Sequence, residues 1–292
     1  VGNADGIIAA RGVVFHNGLS AQPAAVGDIG GVQMGFDAVH KLLLFVYENA
    51  AGFCGILIHQ KEDLMYRIET HLHTTYISRC GWLGAEAIMK YYTACGYDAI
   101  CVTDPYNREC FDYAEIDLTT PGSKTQAFLQ GYHRLKREAE KYNIRVYAGA
   151  ELRFDGSDND YLLYGFHDEL LADPDRVMRE GLAAFAPQYR ADGALLVQAH
   201  PFRKKCTPAP AEYLDGIEVL NLNPRHDSHN DLALAYAKEH HLIMTAGSDC
   251  HRPGDQGTTG ILSDTLPEDS FGLADLLRSG NYTIIRPECT ED

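Results

Sequence analysis

Apolar and polar positions alternate in a regular rhythm from Met65 onward. Short apolar runs, typical of buried strands, are separated by longer segments in which apolar residues recur every three or four positions, as in amphipathic helices. The predicted strands cover 67–71, 99–103, 145–150, 161–165, 194–198, 216–220 and 242–246, with a possible extra strand over 282–285. The predicted helices cover 85–95, 125–142, 173–185, 211–214, 231–241 and 275–279. Such alternation is typical of a parallel sheet or barrel of the α/β class.

Residues 1–65 do not share this rhythm. They are rich in Gly and Ala, and their apolar positions predict a helix over 36–49. We therefore expect two regions, an N-terminal extension of uncertain structure over 1–65 and a barrel domain over 66–288. Two interpretations of the extension are open. Either Met65 is the natural start and the preceding residues are upstream sequence, or the extension is folded and has an unknown role.

Polar residues with metal-binding chemistry follow the predicted strands. His71 and His73 end the first strand, and side chains at positions i and i+2 of a strand point to the same face. The later strand ends add Asp104, Glu151, His167, His200, Asn221, Asp249 and His251. A barrel is favoured over an open sheet because these side chains would converge on the loops that follow its strands. Several imidazoles around a bridging carboxylate suit two adjacent divalent ions, although a single histidine at a strand end is more often a hydrogen-bonded core residue.

Charge and composition narrow the function further. The formal net charge of -16 argues against a nucleic-acid or anionic-membrane partner, because an acidic surface repels phosphate groups. The apolar stretch over 42–58 is interrupted by Glu48, Asn49 and two glycines and is short for a bilayer span, so no transmembrane helix is predicted. No secretory signal is evident, and the eight cysteines include no CxxC pair. We therefore predict reduced thiols and a cytoplasmic location.

The ordered motifs resemble those of the PHP superfamily, named for polymerase and histidinol phosphatase domains. The resemblance covers about 66–286 and rests on His71-Leu72-His73-Thr74, Ile100-Cys101-Val102-Thr103-Asp104, Gly149-Ala150-Glu151, Leu163-Tyr164-Gly165-Phe166-His167, Ala199-His200-Pro201, Ile217-Glu218-Val219-Leu220-Asn221 and Gly247-Ser248-Asp249-Cys250-His251. It implies a distorted (β/α)7 TIM-like barrel. Many members of the family are metal-dependent phosphoesterases with two or three clustered metals.

The resemblance also implies a set of metal ligands. One metal would be held by His71, His73, Glu151 and Asp249, and Glu151 would bridge to a second metal completed by His167 and His200. A third metal is in doubt, because Pro105 stands where the family usually has a histidine and only His251 is clearly in place. Cys80, near the remaining position, is either a soft ligand or a buried structural thiol. We therefore predict two divalent ions, either zinc, manganese or iron, with His251 as a weak ligand, a phosphate donor or a proton donor.

These ligands predict a phosphoesterase that hydrolyses a small phosphorylated metabolite. Arg203 is the best candidate for binding the phosphate, with Lys204 and Arg252 next, although solvated loop residues explain lysines equally well. Asp249 or His251 would supply a proton to the leaving group. The alternatives are a metal-dependent hydrolase of another bond, such as an amide, and a non-catalytic domain that keeps its metals.

Other residues have weaker interpretations. Asp104 either orients a ligating histidine or merely ends a strand. Glu218 is expected to satisfy a hydrogen bond inside the barrel. Trp82, the single tryptophan, either lines the pocket or packs in the core.

Overall fold

The computed structural model describes residues 5–10, 13–17, 44–48, 54–58, 65–120 and 124–287. The chain divides into two compact units, Val1–Leu64 and Met65–Asp292. Among the described residues, no helix combines the length and the apolar character needed to cross a bilayer.

The first unit contains two antiparallel strand pairs. Strand β1 (Asp5–Ala10) pairs with β2 (Val13–Asn17), and β3 (Leu44–Glu48) pairs with β4 (Cys54–Ile58). The helix predicted over 36–49 is therefore wrong at 44–48, and the rest of that prediction lies outside the described residues. The aromatic and β-branched residues of β3 favour a strand once β4 supplies a hydrogen-bonding partner.

The second unit alternates strands with helices. Its strands are β5 (Tyr66–Leu72), β6 (Ala99–Val102), β7 (Pro105–Tyr106), β8 (Arg145–Arg153), β9 (Asp160–Tyr164), β10 (Leu195–Gln198), β11 (Gly216–Asn221), β12 (Ile243–Gly247), β13 (Gly260–Ser263) and β14 (Thr283–Ile285). Its helices are α1 (Ala85–Ala94), α2 (Arg108–Tyr113), α3 (Thr125–Phe128), α4 (Gln130–Ala139), α5 (Pro174–Asp192), α6 (Asn230–Glu239) and α7 (Ser270–Ser279), with 3-10 turns at Asp168–Leu171 and Ala211–Tyr213. All the predicted strands are present, whereas β7 and β13 were not predicted.

Local sequence signals explain several helix boundaries. Asp173 caps α5 by accepting a hydrogen bond from the Arg176 backbone N–H, and Pro174 occupies the first turn, where a missing N–H costs nothing. Gly181 interrupts α5 with a φ of 77°. Gly193, with a φ of 87°, ends the helix in the left-handed conformation that glycine adopts without strain.

The strands of the second unit form a nearly closed barrel, which confirms the predicted fold class. The strand order is β12-β11-β10-β9-β8-β6-β5-β13-β14. The chain beyond β12 returns to β5 through a parallel bridge between Leu72 and Cys250, where the His73 N–H donates to the Cys250 carbonyl at 3.1 Å. Strands β6, β9, β10 and β11 are buried along their whole length, as expected for a sheet covered on both faces.

Strand β9 departs from the expected parallel arrangement. It runs antiparallel to both of its neighbours, β8 and β10. Only 154–159 connect β8 to β9, with Gly156 at a φ of 76°. Because a parallel crossover needs a dozen or more residues, this short connection imposes a hairpin. The end of β9 therefore points to the opposite end of the barrel from the ends of β8 and β10.

Candidate metal centre

Six side chains from four strand ends meet at one end of the barrel. His71 lies in β5, Glu151 lies in β8, and the others follow β5, β10 and β12; the full set is His71, His73, Glu151, His200, Asp249 and His251. In a barrel, the C-terminal ends of the parallel strands lie at the same face, so these side chains come together. Except for the partly buried His251, every member is at least nine-tenths buried, so the cluster lies within the barrel mouth.

The donor atoms of this cluster lie close together. His71 Nε2 is 3.1 Å from His73 Nε2 and 3.2 Å from Glu151 Oε1. Asp249 Oδ1 is 3.2 Å from His73 Nε2 and 3.5 Å from His71 Nε2. The same oxygen, Glu151 Oε1, is 3.3 Å from His200 Nε2.

These separations fit divalent metal ions. Two ligand atoms about 2.1 Å from a tetrahedral metal lie roughly 3.4 Å apart, which is close to the distances observed here. Four overlapping groups of three side chains have all their donor atoms within 4.8 Å of one another: His71-His73-Glu151, His71-His200-Asp249, His73-Asp249-His251 and Glu151-Asp160-His200. Glu151 belongs to two of these groups, as a bridging carboxylate would. The donor set therefore suits divalent metal binding.

His167, predicted as a ligand, does not join the cluster. Its side chain is 61% exposed and lies 3.3 Å from Asp192, with its ring against Phe271. The reason is the antiparallel course of β9, which carries its last residues away from the cluster. The first residue of the same strand, Asp160, is brought in instead, with Oδ2 3.9 Å from His200 Nε2.

Asp160 was missed by the sequence analysis because it precedes its strand's apolar residues. It is buried, and Arg153 contacts both of its carboxylate oxygens at 2.7 Å. Burial, together with the negative charge of Glu151, raises the pKa of Asp160. The short turn over 154–159 was the signal that could have revealed it.

The three basic side chains predicted to bind phosphate have different positions. Arg203 lies in the site, where its Nη2 donates to Asp249 Oδ2 and to Asn221 Oδ1, each at 2.8 Å. Lys204 is exposed. The Arg252 guanidinium lies 4.2 Å from the centre of the Trp82 ring.

Buried charges set the protonation of the carboxylate ligands. Burial acts to raise the pKa of Asp249, but His71 and the hydrogen bonds from His251 and His73 hold it well below the usual value. Burial also acts to raise the pKa of Glu151, but the surrounding imidazoles hold it well below the usual value. Both side chains are therefore ionised.

The imidazoles divide into two kinds. Burial and the charge of His251 lower the pKa of His73 to about 4, so His73 is neutral. Burial acts to lower the pKa of His71, but Glu218 and Asp249 raise it well above the usual value. The pKa of His200 is raised to about 10 by hydrogen bonds with Cys206 and Glu151, against the effect of burial. The pKa of His251 is also raised, because Asp249 outweighs burial.

A second set of carboxylates holds the ligands in place. Glu218, entirely buried, accepts from His71 Nδ1 at 2.9 Å and from the His200 N–H at 3.0 Å. Asp104 contacts no histidine ring of the cluster within the described residues. It accepts from the backbone N–H and the hydroxyl of Thr74, both at 2.6 Å, and so fixes the residue that follows His73.

Glu69 fastens β5 to the chain that follows β12. Its Oε1 accepts from the N–H groups of Thr70, His71 and Ser248, and its Oε2 accepts from the hydroxyls of Tyr92 and Ser248. Burial raises the pKa of this carboxyl. The network holds together the two segments that carry His71 and Asp249, and its members were not predicted.

Two residues of the cluster have unusual backbone conformations. His200 has a φ of 28° and Asp249 a φ of 51°, in the left-handed region that side chains other than glycine rarely adopt. Such conformations cost free energy and persist where the surrounding structure fixes them, most often at functional sites. Here Glu218 accepts a hydrogen bond from the His200 N–H, and Arg203 donates one to the Asp249 carboxylate.

Comparisons with known proteins agree with the fold and the motifs. A family model described as PHP-associated matches 227–279, a range that contains Asp249 and His251. A two-domain protein from Bacteroides vulgatus, containing a predicted PHP-like metal-dependent phosphoesterase, has a TM-score of 0.56 at 15% identity. The alignment covers 76% of this chain and 65% of that protein, so the chain spans less than two thirds of its length. This chain has the PHP fold.

A second solved structure shares the fold of this chain. PsfC from Pseudomonas syringae PB-5123 has a TM-score of 0.56 at 17% identity, with 77% of this chain and 92% of PsfC covered. No curated protein matches the chain in sequence. The resemblance to the PHP superfamily that the motifs indicated is confirmed.

Two residues at positions that the resemblance associates with a third metal offer no ligand to the cluster. Pro105 lies in β7, beside Glu151 in the sheet, and offers no donor. Cys80 is exposed and belongs to none of the four groups found among the described residues, so its interpretation as a buried structural thiol is wrong. His251 is close to His73, with ring centres 4.3 Å apart.

Proposed function

We propose that the chain is a metal-dependent phosphoesterase that hydrolyses a small phosphorylated metabolite. The observation that carries the proposal is the convergence of buried imidazoles and ionised carboxylates on one barrel mouth, with the Arg203 guanidinium bonded to Asp249. A cationic guanidinium beside metal ligands suits a substrate with a doubly charged phosphoryl group.

Two ions would share this site. His71, His73, Glu151 and Asp249 would hold the first, and Glu151, Asp160 and His200 would hold the second. Divalent ions in such a site lower the pKa of water and neutralise charge on phosphoryl oxygens. Zinc, manganese and iron all accept this mixture of imidazole and carboxylate ligands.

The remaining residues would bind the phosphoryl group and protonate the leaving group. Arg203 would donate hydrogen bonds to phosphoryl oxygens and hold the ester in place. His251 would give a proton to the leaving oxygen: burial acts to lower its pKa, but the Asp249 carboxylate raises it and so favours the protonated ring. Asp249 is less suited to that role, since its pKa lies well below the usual value and it carries no proton.

A non-catalytic metal-binding domain is the second candidate. Pro105, in place of the usual ligand of the third metal, favours it. The buried ligands for two metals favour the enzyme, because two adjacent ions are the arrangement that phosphate-ester hydrolysis uses.

The test combines metal analysis with an assay for phosphate release. We expect about two ions per chain by plasma mass spectrometry and release of phosphate from at least one of a panel of phosphorylated metabolites. His73→Ala should lose both metal and activity, whereas His167→Ala, which removes an exposed histidine outside the cluster, should retain both. Bound metal without release from any substrate, or full activity of His73→Ala, would overturn the proposal.

A further inference from the structure

Trp82 is joined to the segment that carries His251. Its backbone N–H donates to the His251 carbonyl at 2.7 Å, so the backbone of Trp82 lies directly beside a residue of the cluster. The side chain is nevertheless 63% exposed, which excludes the interpretation that it packs in the core. A large apolar surface left open at this place, in a chain of net charge -16, has no structural use within the described residues.

The guanidinium of Arg252 covers part of this indole. Its central carbon lies 4.2 Å from the ring centre, which is the geometry of a cation–π contact. Arg252 Nε is buried and has no hydrogen-bond partner among the described residues. Buried donors are nearly always paired in folded proteins, so a ligand acceptor is the expected partner of this N–H.

Both residues are held rigidly before any ligand arrives. The segment that carries Trp82 is tied by backbone bonds from Thr75 N–H to the Leu83 carbonyl and from Gly81 N–H to the Ser78 carbonyl. A Cβ at Gly81 would lie only 2.7 Å from the Thr74 carbonyl, so this turn requires glycine.

The turn that carries Arg252 is equally fixed. The Asp255 carboxylate accepts from the backbone N–H groups of His251 and Arg252. Two further bonds, each 2.8 Å long, join Asp255 to the Arg225 guanidinium. A rigid aromatic and cationic surface of this kind binds without a large ordering cost.

We propose that Trp82 and Arg252 bind the leaving-group half of the substrate, and that this half contains a flat aromatic ring. The proposal rests on the proposed phosphoesterase function and names its substrate class. A phosphoryl group held at Arg203 and the metal ligands would leave the ester's organic part beside His251, next to the indole. Indole and guanidinium are both planar and stack on aromatic rings, whereas an aliphatic group gains little from either.

The single tryptophan makes binding at this place directly measurable, because any tryptophan fluorescence comes from Trp82. The metal-loaded protein is titrated with phenylphosphonate and with propylphosphonate, two anions that cannot be hydrolysed as esters. We expect phenylphosphonate to quench the emission and to bind about five- to tenfold more tightly than propylphosphonate. Calorimetry supplies the same two affinities for variants that lack the indole.

Variants distinguish ring stacking from changes that affect the binding of both phosphonates. Trp82→Ala should remove most of the preference for the phenyl compound and leave propylphosphonate binding unchanged, and Trp82→Phe should keep the preference. Arg252→Gln should also reduce the ratio of the two affinities, which reports stacking, since the lost charge acts on both anions alike. Phe271→Ala, which removes an exposed aromatic ring beside His167, should change neither affinity.

Equal affinities of the wild-type protein for the two phosphonates would overturn the proposal. An equal loss of affinity for both compounds in Trp82→Ala would do the same. Absence of binding by both compounds would overturn it as well. Phosphate release from the metabolite panel decides the proposed function separately, so the two failures can be told apart.

Discussion

His71 and Glu218 form a fully buried pair in which the imidazole Nδ1 lies 2.9 Å from the carboxylate Oε1. The two residues are 147 positions apart in the chain and belong to β5 and β11. The carboxylate binds the Nδ1–H, so that Nε2 of His71 faces Glu151 and Asp249 and is the nitrogen available to a metal once its proton is displaced. Glu218 therefore prepares His71 to act as a ligand.

Replacing this carboxylate should weaken metal binding. We expect Glu218→Gln to lower metal affinity by about 10- to 100-fold, because the amide no longer stabilises the ligand tautomer. Competition with a chelator measures the effect. Glu212→Gln, a change at an exposed glutamate, is the control and should leave the affinity unchanged. Wild-type affinity in Glu218→Gln would show that His71 is oriented by other contacts.

Asp160 and His167, at the two ends of β9, should differ in their effect on metal content. Asp160→Asn should lower the content from about two ions per chain to about one, because the second group loses a charged ligand. His167→Ala should have no effect, since that side chain is exposed at the other end of the strand. Plasma mass spectrometry of the purified variants gives both values, and the reverse result would contradict the assignment of Asp160.

Metal binding should release protons. In the metal-free protein the pKa of His200 is about 10, so this ring carries a proton at pH 7 to 8. The pKa values of His71 and His251 are also raised. A metal must displace the protons of the rings that it binds, so its affinity should rise with pH from about 6.5 towards 10.

Calorimetry in two buffers of different ionisation enthalpy counts the released protons. At pH 7.5 we expect the apparent binding enthalpy to differ between the buffers. His73 should contribute no proton to this count, because its pKa is about 4. Equal enthalpies in both buffers would contradict the predicted protonation.

Glu69 should matter chiefly for stability. Glu69→Ala would leave the buried donors of Thr70, His71, Ser248 and Tyr92 without their acceptor. We expect the free energy of unfolding to fall by about 3 kcal/mol or more. Urea denaturation of the metal-free protein measures this loss without the contribution of bound ions. Glu86→Ala, at an exposed helical position, should change stability by less than about 0.5 kcal/mol.

Much of the barrel and of the metal centre could be predicted from the sequence. Apolar periodicity located eight of the ten strands of the second unit and most helices, because burial imposes a period of two or of about 3.6 on any chain. His71, His73, Glu151, His200, Asp249 and His251 were each placed at strand ends, and all meet in the structure. These predictions depend on local spacing together with the general geometry of parallel barrels.

Tertiary structure decided what depends on strand direction and on contacts between distant segments. The antiparallel course of β9 brings Asp160 to the site and sends His167 away, although both flank the same strand. The pairing of Glu218 with His71, and of Glu69 with Ser248, joins residues more than a hundred positions apart. Hydrophobic periodicity shows which side of a strand is buried. The direction in which the strand runs, and which strands lie beside it, are determined only when the whole sheet forms.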